Sequence, residues 1–373
     1  MTTILASTAL CPPGPPSPGW IAFDDAVIVD MGRGRPPIEL VDAVQDLGDA
    51  LISPGFIDLQ CNGVAGDDLA TADDAGWERA AATLAQHGTT AYCGTLVSAA
   101  LDSYEGSLAR AEAMQAARAG PGAALLGVHL EGPFLGGAPG AHDAALLGDA
   151  DISWLVALLE RHPGLVRIVT LAPEADPGFL ATRLLADAGV IVALGHSRAT
   201  YDQARDSADA GARMVTHLFN AMSPLHHREP GLVGAALDDD RLTPTIIADG
   251  THVHPAVLRL ALAAKANIAV VSDAVAVTDG VISDGAAFLA DGTIAGAISL
   301  LDHSIATLVR AGIAIERAVE VVTAEPARLL GLHDRGRLVV GARADIVASD
   351  AETLLPRAVW IGGVPVAGVG LHP

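Results

Sequence analysis

Basic residues are scarce in this 373-residue chain, which has 22 Lys and Arg against 44 Asp and Glu and a formal net charge of −22. Nucleic-acid phosphates and anionic membrane surfaces both attract basic proteins, so we expect this chain to bind neither. An anionic small molecule would have to be held by a few well-placed donors that act against the overall field. Any anion site must therefore be local.

Cysteine, lysine and aromatic residues are also rare. Cys11, Cys61 and Cys93 are scattered and odd in number, which excludes a disulfide framework and a CxxC metal site. Lys265 is the only lysine, so a Schiff base, a P-loop or a carbamylated lysine would depend on that one residue. Its position at the apparent end of a helix favours a solvated side chain. Aromatics make up only 3% of the chain, which leaves few platforms for stacking on bases or sugars.

No long apolar run that could span a membrane is present. The first twenty residues contain five prolines and no basic residue, which is unlike a signal peptide. We therefore expect a soluble, cytoplasmic protein.

Apolar, β-branched runs recur eight times between residues 51 and 275, and alanine-rich segments with helical spacing separate most of them. Continuously apolar runs are typical of parallel strands buried on both faces, and eight is the number that closes a (β/α)8 barrel. An α/β fold with a TIM-like (β/α)8 barrel is therefore predicted. The alternative is a doubly wound open sheet, although no GxGxxG motif follows the first strand. The runs are LISPGFIDLQ, TTAYCGTLVS, AALLGVHLEG, VRIVTLAP, GVIVALGHS, ARMVTHLFN, TPTIIADGTHV and NIAVVSDAV.

The two ends of the chain share a different texture, with short alternating β segments and turns. We predict a small β-sandwich domain built from both termini, with residues 1–51 as its N-terminal part and residues 336–373 as its C-terminal part. The catalytic barrel is then predicted to occupy residues 52–335.

Polar side chains stand at the ends of otherwise apolar runs, where burial is costly unless they are paired or bind metal. In a barrel the carboxyl ends of the strands converge, and a catalytic zinc site commonly uses two histidines and one carboxylate. We interpret Glu131, His196 and His217 as ligands of one divalent metal and Asp273 as the catalytic acid and base. Taken singly, a histidine near a strand end is more often a hydrogen-bonded core or loop residue than a ligand. Glu131 alone is compatible with a turn cap, and Asp273 alone with a helix N-cap or a loop residue.

Three further polar residues lie near this set. His129 precedes Glu131 by two positions on the same strand face and is interpreted as a supporting partner of the ligands. Gln60 and Asn62 end the first run, and neutral amides bind zinc poorly.

The motifs PGFIDLQCNG, GVHLEGPF, ALGHS, THLFNAM, REPG, ADGTHV and VVSDA together resemble the N-acetylglucosamine-6-phosphate deacetylases of the amidohydrolase superfamily. The resemblance is strongest between residues 54 and 275 and continues more weakly to the C-terminus. It implies that Glu131, His196 and His217 form the main metal site and that Asp273 is catalytic. Many amidohydrolases carry HxH where this chain has Gln60 and Asn62, so a second metal site would be vestigial and one metal ion per subunit is expected.

The resemblance also implies substrate-binding residues. Asn220 and the backbone of Ala221 would contact the sugar phosphate, and His142 would lie near the acetyl carbonyl. Arg228 and His252 would bind phosphate, in part across the interface of a homodimer. The residues alone leave a second interpretation of Arg228 open, namely a salt bridge to Glu229.

The function that follows is metal-dependent hydrolysis of the acetamide of N-acetylglucosamine 6-phosphate, with a metal-activated water and Asp273 as base and then acid. Zinc is the first expectation, and Fe²⁺, Mn²⁺ or Co²⁺ suit the same ligands. Rival hypotheses are a deacetylase of N-acetylgalactosamine 6-phosphate, a cyclic-amide hydrolase such as a dihydroorotase, and a metal-free sugar-binding or scaffold barrel.

Overall fold

The computed structural model describes residues 2–11, 14–37, 44–117, 122–276, 281–283 and 285–366. Parts of the predicted terminal domain therefore lie outside the described residues, namely residues 1, 12–13, 38–43 and 367–373. The predicted limits of the three segments, at residues 51/52 and 335/336, stay a prediction.

The strands of the described residues are β1 (Thr3–Leu10), β2 (Ser17–Asp24), β3 (Val27–Arg33), β4 (Val44–Asp46), β5 (Leu51–Pro54), β6 (Phe56–Cys61), β7 (Gly63–Val64), β8 (Asp67–Asp68), β9 (Thr89–Val97), β10 (Ala124–Glu131), β11 (Val166–Leu171), β12 (Ile191–Leu194), β13 (Met214–Val215), β14 (Thr243–Ile247), β15 (Ala269–Val271), β16 (Val281–Ser283), β17 (Ala286–Phe288), β18 (Ile294–Ala297), β19 (Ile346–Ser349), β20 (Pro356–Ile361) and β21 (Val364–Pro365).

The helices of the same residues are α1 (Asp74–Gln86), α2 (Tyr104–Ala116), α3 (Ile152–Arg161), α4 (Leu180–Asp187), α5 (Tyr201–Ala210), α6 (Gly231–Asp238), α7 (Pro255–Ala264), α8 (Leu301–Arg310), α9 (Ile315–Glu320) and α10 (Ala324–Leu329), with short 3-10 helices at Ala144–Leu146, Pro173–Ala175 and Pro177–Phe179.

Eight parallel strands form the barrel, in the order β6, β9, β10, β11, β12, β13, β14 and β15. Each of the eight apolar runs contains one of them, and residues such as Ile57, Ile168 and Val271 fill a buried interior cluster. Hydrogen bonds close the circle between the first and last strands, because the Asp273 N–H donates to the Gln60 carbonyl (3.0 Å) and the Asn62 N–H donates to the Ala274 carbonyl (2.8 Å). The predicted α/β barrel is confirmed, and the open-sheet alternative is wrong.

The barrel helices begin and end where local chemistry allows. Helix α1 begins after Asp73, whose carboxylate accepts from the Gly76 N–H, and its buried face carries Trp77 and Leu84. Helix α5 begins with a capping box between Thr200 and Gln203 and ends at a glycine. These signals are readable in the sequence and set the helices against the outside of the barrel.

The terminal segments pair in a second sheet, ordered β21, β20, β19, β5, β1, β2, β3, with β4 beside β1. Strand β5 links the two ends of the chain, because it lies parallel to β1 and antiparallel to β19, with Ile52 opposite Ala348. The sheet encloses its own apolar core, which includes Ile21, Ile52 and Trp360. The described residues thus join the two ends of the chain, as their shared β texture predicts.

A third, antiparallel sheet of β16, β17 and β18 follows the last barrel strand. It returns to the barrel through a bridge between Ala297 and Ala274. Its residues 293–296 reach the cavity described below. No helix of the described residues combines the length and the apolar character needed to cross a bilayer.

The expectation of a solvated Lys265 is wrong. Its side chain is 2% exposed, and Nζ donates to the Asp239 carbonyl (2.7 Å) and lies 3.4 Å from Asp240 Oδ1. Lys265 follows the end of α7 with an extended backbone, which turns the side chain inward. It does not line the cavity, so lysine chemistry is not available there from the described residues.

Candidate active site

Glu131, His196 and His217 meet in one buried cluster. Glu131 is the last residue of β10, while His196 and His217 each follow a barrel strand by two positions. Glu131 Oε1 lies 3.1 Å from His196 Nε2 and 3.0 Å from His217 Nε2, and the two Nε2 atoms are 3.0 Å apart. The barrel therefore brings together the three side chains that the strand ends predicted.

The backbone at these strand ends is strained. His196 has φ 48°, His217 has φ 29° and Asp273 has φ 50°, which is the left-handed region that residues with a β-carbon rarely adopt. Each such conformation costs on the order of 1–3 kcal/mol and persists only where surrounding structure enforces it. The strain turns each side chain away from the strand and into the shared space above the barrel.

The protonation pattern of the cluster suits a cation. His196 Nδ1 lies 3.1 Å from the Pro139 carbonyl, which can only accept, so this nitrogen carries the proton and Nε2 presents a lone pair. His217 Nε2 faces the same point, and its Nδ1 is buried without a hydrogen-bond partner. Two imidazole nitrogens and a carboxylate oxygen thus converge with too few protons to satisfy them.

The spacing of the cluster also suits a metal ion. Ligand atoms around a tetrahedral zinc at about 2.05 Å lie about 3.3 Å from one another. The three separations here are 3.0–3.1 Å. The donor set leaves one position open, as catalytic zinc sites do.

Asp273 lies beside this cluster and is held by the amides of the first strand. Gln60 Nε2 donates to Asp273 Oδ1 (3.0 Å) and to Glu131 Oε1 (2.9 Å), while Asn62 Nδ2 donates to Asp273 Oδ1 (2.8 Å). Gln60 and Asn62, which were predicted to mark a vestigial second metal site, therefore orient the acidic side chains of the site through hydrogen bonds.

Burial controls the acidity of the site. Burial and the nearby Glu131 carboxylate raise the pKa of Asp273 to about 7. Burial alone would raise the pKa of Glu131, but the adjacent imidazoles of His196 and His217 hold it well below its usual range. The two carboxyl groups are thus pushed apart in pKa, so that one stays ionised while the other can exchange a proton near neutral pH.

His142 stands over the cluster. Its ring packs edge-on against His196 with ring centroids 4.4 Å apart, and its Nδ1 accepts from the Ser98 N–H (3.4 Å). Burial lowers the pKa of His142 to about 4, so the ring is neutral at physiological pH. Because Nδ1 accepts, the proton sits on Nε2, where it is available to a ligand.

These groups line a cavity of about 580 Å³. Its walls include Asn62, Asn220, the backbone turn at Ala221, and residues of strand β18 and of the turn before it. Asn220 keeps its amide against the carbonyls of His217 and Leu218 (3.3 and 3.4 Å), which fixes its side chain beside the cluster. The volume lies within the range of small-molecule sites, about 300–1,000 Å³.

The two predicted phosphate residues are placed differently. His252 lines the cavity, and its Nδ1 lies 2.6 Å from Asp249 Oδ2, which orients the ring. Arg228 is exposed and is not among the cavity-lining residues of its own chain. Within the described part of the chain it also forms no ion pair with Glu229, so that interpretation is wrong. The structure does not bring Arg228 and His252 into one site within this chain.

His129 also departs from its predicted contacts. Its Nδ1 lies 3.1 Å from the Leu59 carbonyl and its Nε2 lies 2.7 Å from Thr170 Oγ1. It forms no hydrogen bond with Glu131, His196 or His217 in the described structure. The residue belongs to a buried polar chain through Thr170 and Thr216 inside the barrel, so it supports the site only through the strands.

The sequence interpretation missed two participants. Ser98 follows strand β9 and orients His142, and the Pro139 carbonyl orients His196. Ser98 is a polar residue at a strand end and could have been found by the same rule as the ligands. The role of Pro139 could not, because a backbone carbonyl leaves no mark on residue type.

A model of the amidohydrolase family matches residues 51–367. The chain is 38% identical over 353 residues to an N-acetylglucosamine-6-phosphate deacetylase of Bos taurus, and the alignment covers 87% of this chain and 85% of the relative. It is 37% identical over 331 residues to an N-acetylgalactosamine-6-phosphate deacetylase of Escherichia coli O157:H7, and that alignment covers 84% of this chain and 87% of the relative.

A solved structure gives the same picture. A mutant of N-acetyl-D-glucosamine-6-phosphate deacetylase from Mycobacterium smegmatis, in complex with N-acetyl-D-glucosamine-6-phosphate, superposes with a TM-score of 0.90 at 34% identity. The match covers 98% of this chain and 99% of that one.

Proposed function

Since this chain belongs to the amidohydrolase family, we propose that it hydrolyses the acetamide of N-acetylglucosamine 6-phosphate to glucosamine 6-phosphate and acetate. The observation that carries the proposal is Asp273 standing beside the Glu131, His196 and His217 cluster in one cavity. Relatives that match most of the chain carry the name of this activity.

The metal is proposed to be a single divalent ion, zinc first, held by Glu131, His196 and His217. Mixed histidine and carboxylate ligands also accept Fe²⁺, Mn²⁺ or Co²⁺. When bound, the ion supplies polarisation of the acetamide carbonyl and a lowered pKa for water, towards about 7.

Asp273 moves the proton in this mechanism. Its carboxylate takes a proton from the attacking water and returns it to the amine nitrogen as the C–N bond breaks, because an unprotonated amine is a poor leaving group. Burial raises the pKa of Asp273, which makes its carboxylate a stronger proton acceptor. Gln60 and Asn62 hold Oδ1 of the carboxylate and leave Oδ2 for this exchange.

His142 is proposed to stabilise the developing oxyanion. Its Nδ1 accepts from the Ser98 N–H, so its Nε2–H is free to donate to the acetyl oxygen. A neutral histidine can donate this bond without adding a charge beside the metal site.

The phosphate is proposed to contact His252, with Asn220 and the Ala221 backbone along the sugar phosphate. Arg228 of the same chain does not line the cavity. We propose a homodimer in which Arg228 of the partner subunit completes the phosphate site. A cytoplasmic location is also proposed, and three buried free thiols at Cys11, Cys61 and Cys93 suit a reducing compartment.

A second candidate substrate is N-acetylgalactosamine 6-phosphate. The relative at 37% identity that carries this name is the observation that favours it. The two sugars differ only at C4, and the acetamide chemistry would be the same.

The test is acetate release from N-acetylglucosamine 6-phosphate, run beside the galacto epimer and unphosphorylated N-acetylglucosamine. We expect turnover with the phosphorylated gluco sugar and much less with the other two. Preference for the epimer would change the substrate, and equal turnover of the plain sugar would remove the phosphate site. Silence with all three, in protein that contains metal, would overturn the deacetylase.

A further inference from the structure

A second group of two histidines and a carboxylate lies outside the cavity. His87 Nδ1 is 2.8 Å from Asp302 Oδ2, and His303 Nδ1 is 3.1 Å from Asp302 Oδ1. His87 ends helix α1, whereas Asp302 and His303 lie in the first turn of α8. None of the three lines the cavity of about 580 Å³. We call these three residues the helix-end cluster.

Asp302 is the unusual member of the cluster. Its side chain is 2% exposed, and a buried carboxylate is costly unless a positive charge faces it. In the described residues no lysine or arginine forms an ion pair with it, and its side-chain partners are the two histidines. Neutral imidazoles donate hydrogen bonds but bring no charge, so the positive charge that faces Asp302 must come from a protonated imidazole or from a bound cation.

Both imidazoles face the Asp302 carboxylate closely enough to share a metal ion with it. His87 Nδ1 lies 2.8 Å from Oδ2 and His303 Nδ1 lies 3.1 Å from Oδ1, and one ligand atom from each of the three residues lies within 4.8 Å of the other two. The Asp302 carboxylate is further fixed by the His303 backbone N–H at 2.8 Å. Holding these atoms in place before binding reduces the entropy that is lost when a metal ion binds.

The surroundings leave room for an ion and its waters. The His87 and His303 side chains are 40% and 50% exposed, so solvent reaches the open side of the cluster. The net charge of −22 raises the local concentration of cations around the protein. Two imidazoles with one carboxylate suit borderline metals such as Zn²⁺, whereas Mg²⁺ and Ca²⁺ prefer oxygen ligands.

We propose that His87, Asp302 and His303 form a second binding site, for a divalent transition-metal ion of the zinc class, which joins the end of α1 to the start of α8. The site would tether two helices whose contacting residues are 215 positions apart in the chain. It takes no part in the hydrolytic steps, because its residues are outside the cavity.

The test is zinc stoichiometry. The full-length protein is stripped with EDTA, dialysed against micromolar Zn²⁺ and analysed for metal per chain. We expect His303→Ala to bind about one zinc ion per chain fewer than the wild type. His87→Ala should lose the same ion, and both variants should keep acetate release near the wild-type rate.

The control is His333→Ala, which removes an exposed histidine away from the cluster and should leave zinc content unchanged. The same comparison is repeated in a His217→Ala background, in which the active-site metal ligand is removed. Adding His303→Ala to that background should again lower the zinc content by about one ion per chain, and this loss belongs to the helix-end cluster. Equal zinc content in wild type and both cluster variants would overturn the proposal. Circular dichroism confirms that each variant is folded.

Discussion

The described part of this protein contains two groups that each combine two histidines with one carboxylate but differ in burial. Glu131, His196 and His217 are all buried at the ends of three barrel strands, whereas in the helix-end cluster only Asp302 is buried and the side chains of His87 and His303 reach solvent. In the first group the three atoms converge at 3.0–3.1 Å, and in the second the two imidazoles lie on either side of one carboxylate.

The difference shows what turns a set of ligands into a catalytic site. The buried group has Asp273 beside it and a cavity above it, whereas the helix-end cluster has neither. Strand ends of a barrel also meet at one place, so a substrate can contact groups from several strands at once. Helix ends bring together only their immediate neighbours, which is sufficient for a structural ion.

Asp273, which lies beside Glu131, His196 and His217, is the largest difference between the two groups, and its removal should have the largest effect on kcat. Asp273→Asn should lower kcat for acetate release by roughly 10²–10⁴-fold, because an amide cannot exchange the proton. Gln60 and Asn62 both donate to Oδ1, which an asparagine retains, so the fold and zinc content should stay as in the wild type. Loss of zinc in this variant would instead make Asp273 a ligand.

The amide support of the buried group has no counterpart in the helix-end cluster. Gln60→Ala removes a donor shared by Glu131 and Asp273 and should lower kcat about 10–100-fold, as removal of outer partners does in other metal sites. Gln45→Ala, in the terminal sheet, is the matched control. An unchanged kcat in Gln60→Ala would mean that Glu131 and Asp273 orient themselves.

Only the active site is proposed to bind substrate, so a change in phosphate binding should affect that site and leave the helix-end cluster unaffected. Arg228→Ala should raise KM for the phosphorylated sugar about tenfold and leave the unphosphorylated sugar unaffected, because a charged hydrogen bond to phosphate is lost. Arg337→Ala, another exposed arginine, should change neither value. Equal effects of Arg228→Ala on both sugars would remove the phosphate role.

The helix-end cluster should show a small, pH-dependent contribution to stability. The hydrogen bond that His303 donates to the Asp302 carboxylate raises the pKa of His303 above its ordinary 6.5. Protonation of His303 therefore stabilises the fold at low pH, and this stability is lost as the pH rises through the raised pKa. The half-exposed ring limits the effect to less than about 1 kcal/mol.

Urea unfolding in EDTA measures this difference. The gap in unfolding free energy between wild type and His303→Ala should be larger at pH 5.5 than at pH 8.5. A gap that is constant across this range, or that grows with pH, would exclude a protonated His303 paired with Asp302 in the metal-free protein.

Much of the barrel and of its site could be predicted because the signals are local. A strand buried on both faces must be apolar along its length, so a polar residue at its end stands out, as Glu131, His196, His217 and Asp273 do. Lys265 is the converse case, because its local sequence does not indicate where its side chain lies. Its residue type and helix-end position favoured solvent, and only the extended backbone after α7 turns it inward.

Residue pattern alone was enough for the eight strands, their order along the chain and the polar groups that meet where the strands end. Tertiary packing decided the left-handed turns at His196, His217 and Asp273, the proton positions set by the Pro139 carbonyl and Ser98, and the absence of Arg228 from the cavity of its own chain. It also joined His87 to Asp302, 215 residues later. Hydrophobic periodicity records which face of an element is buried, whereas the angle at which two elements meet depends on side-chain packing from the whole chain.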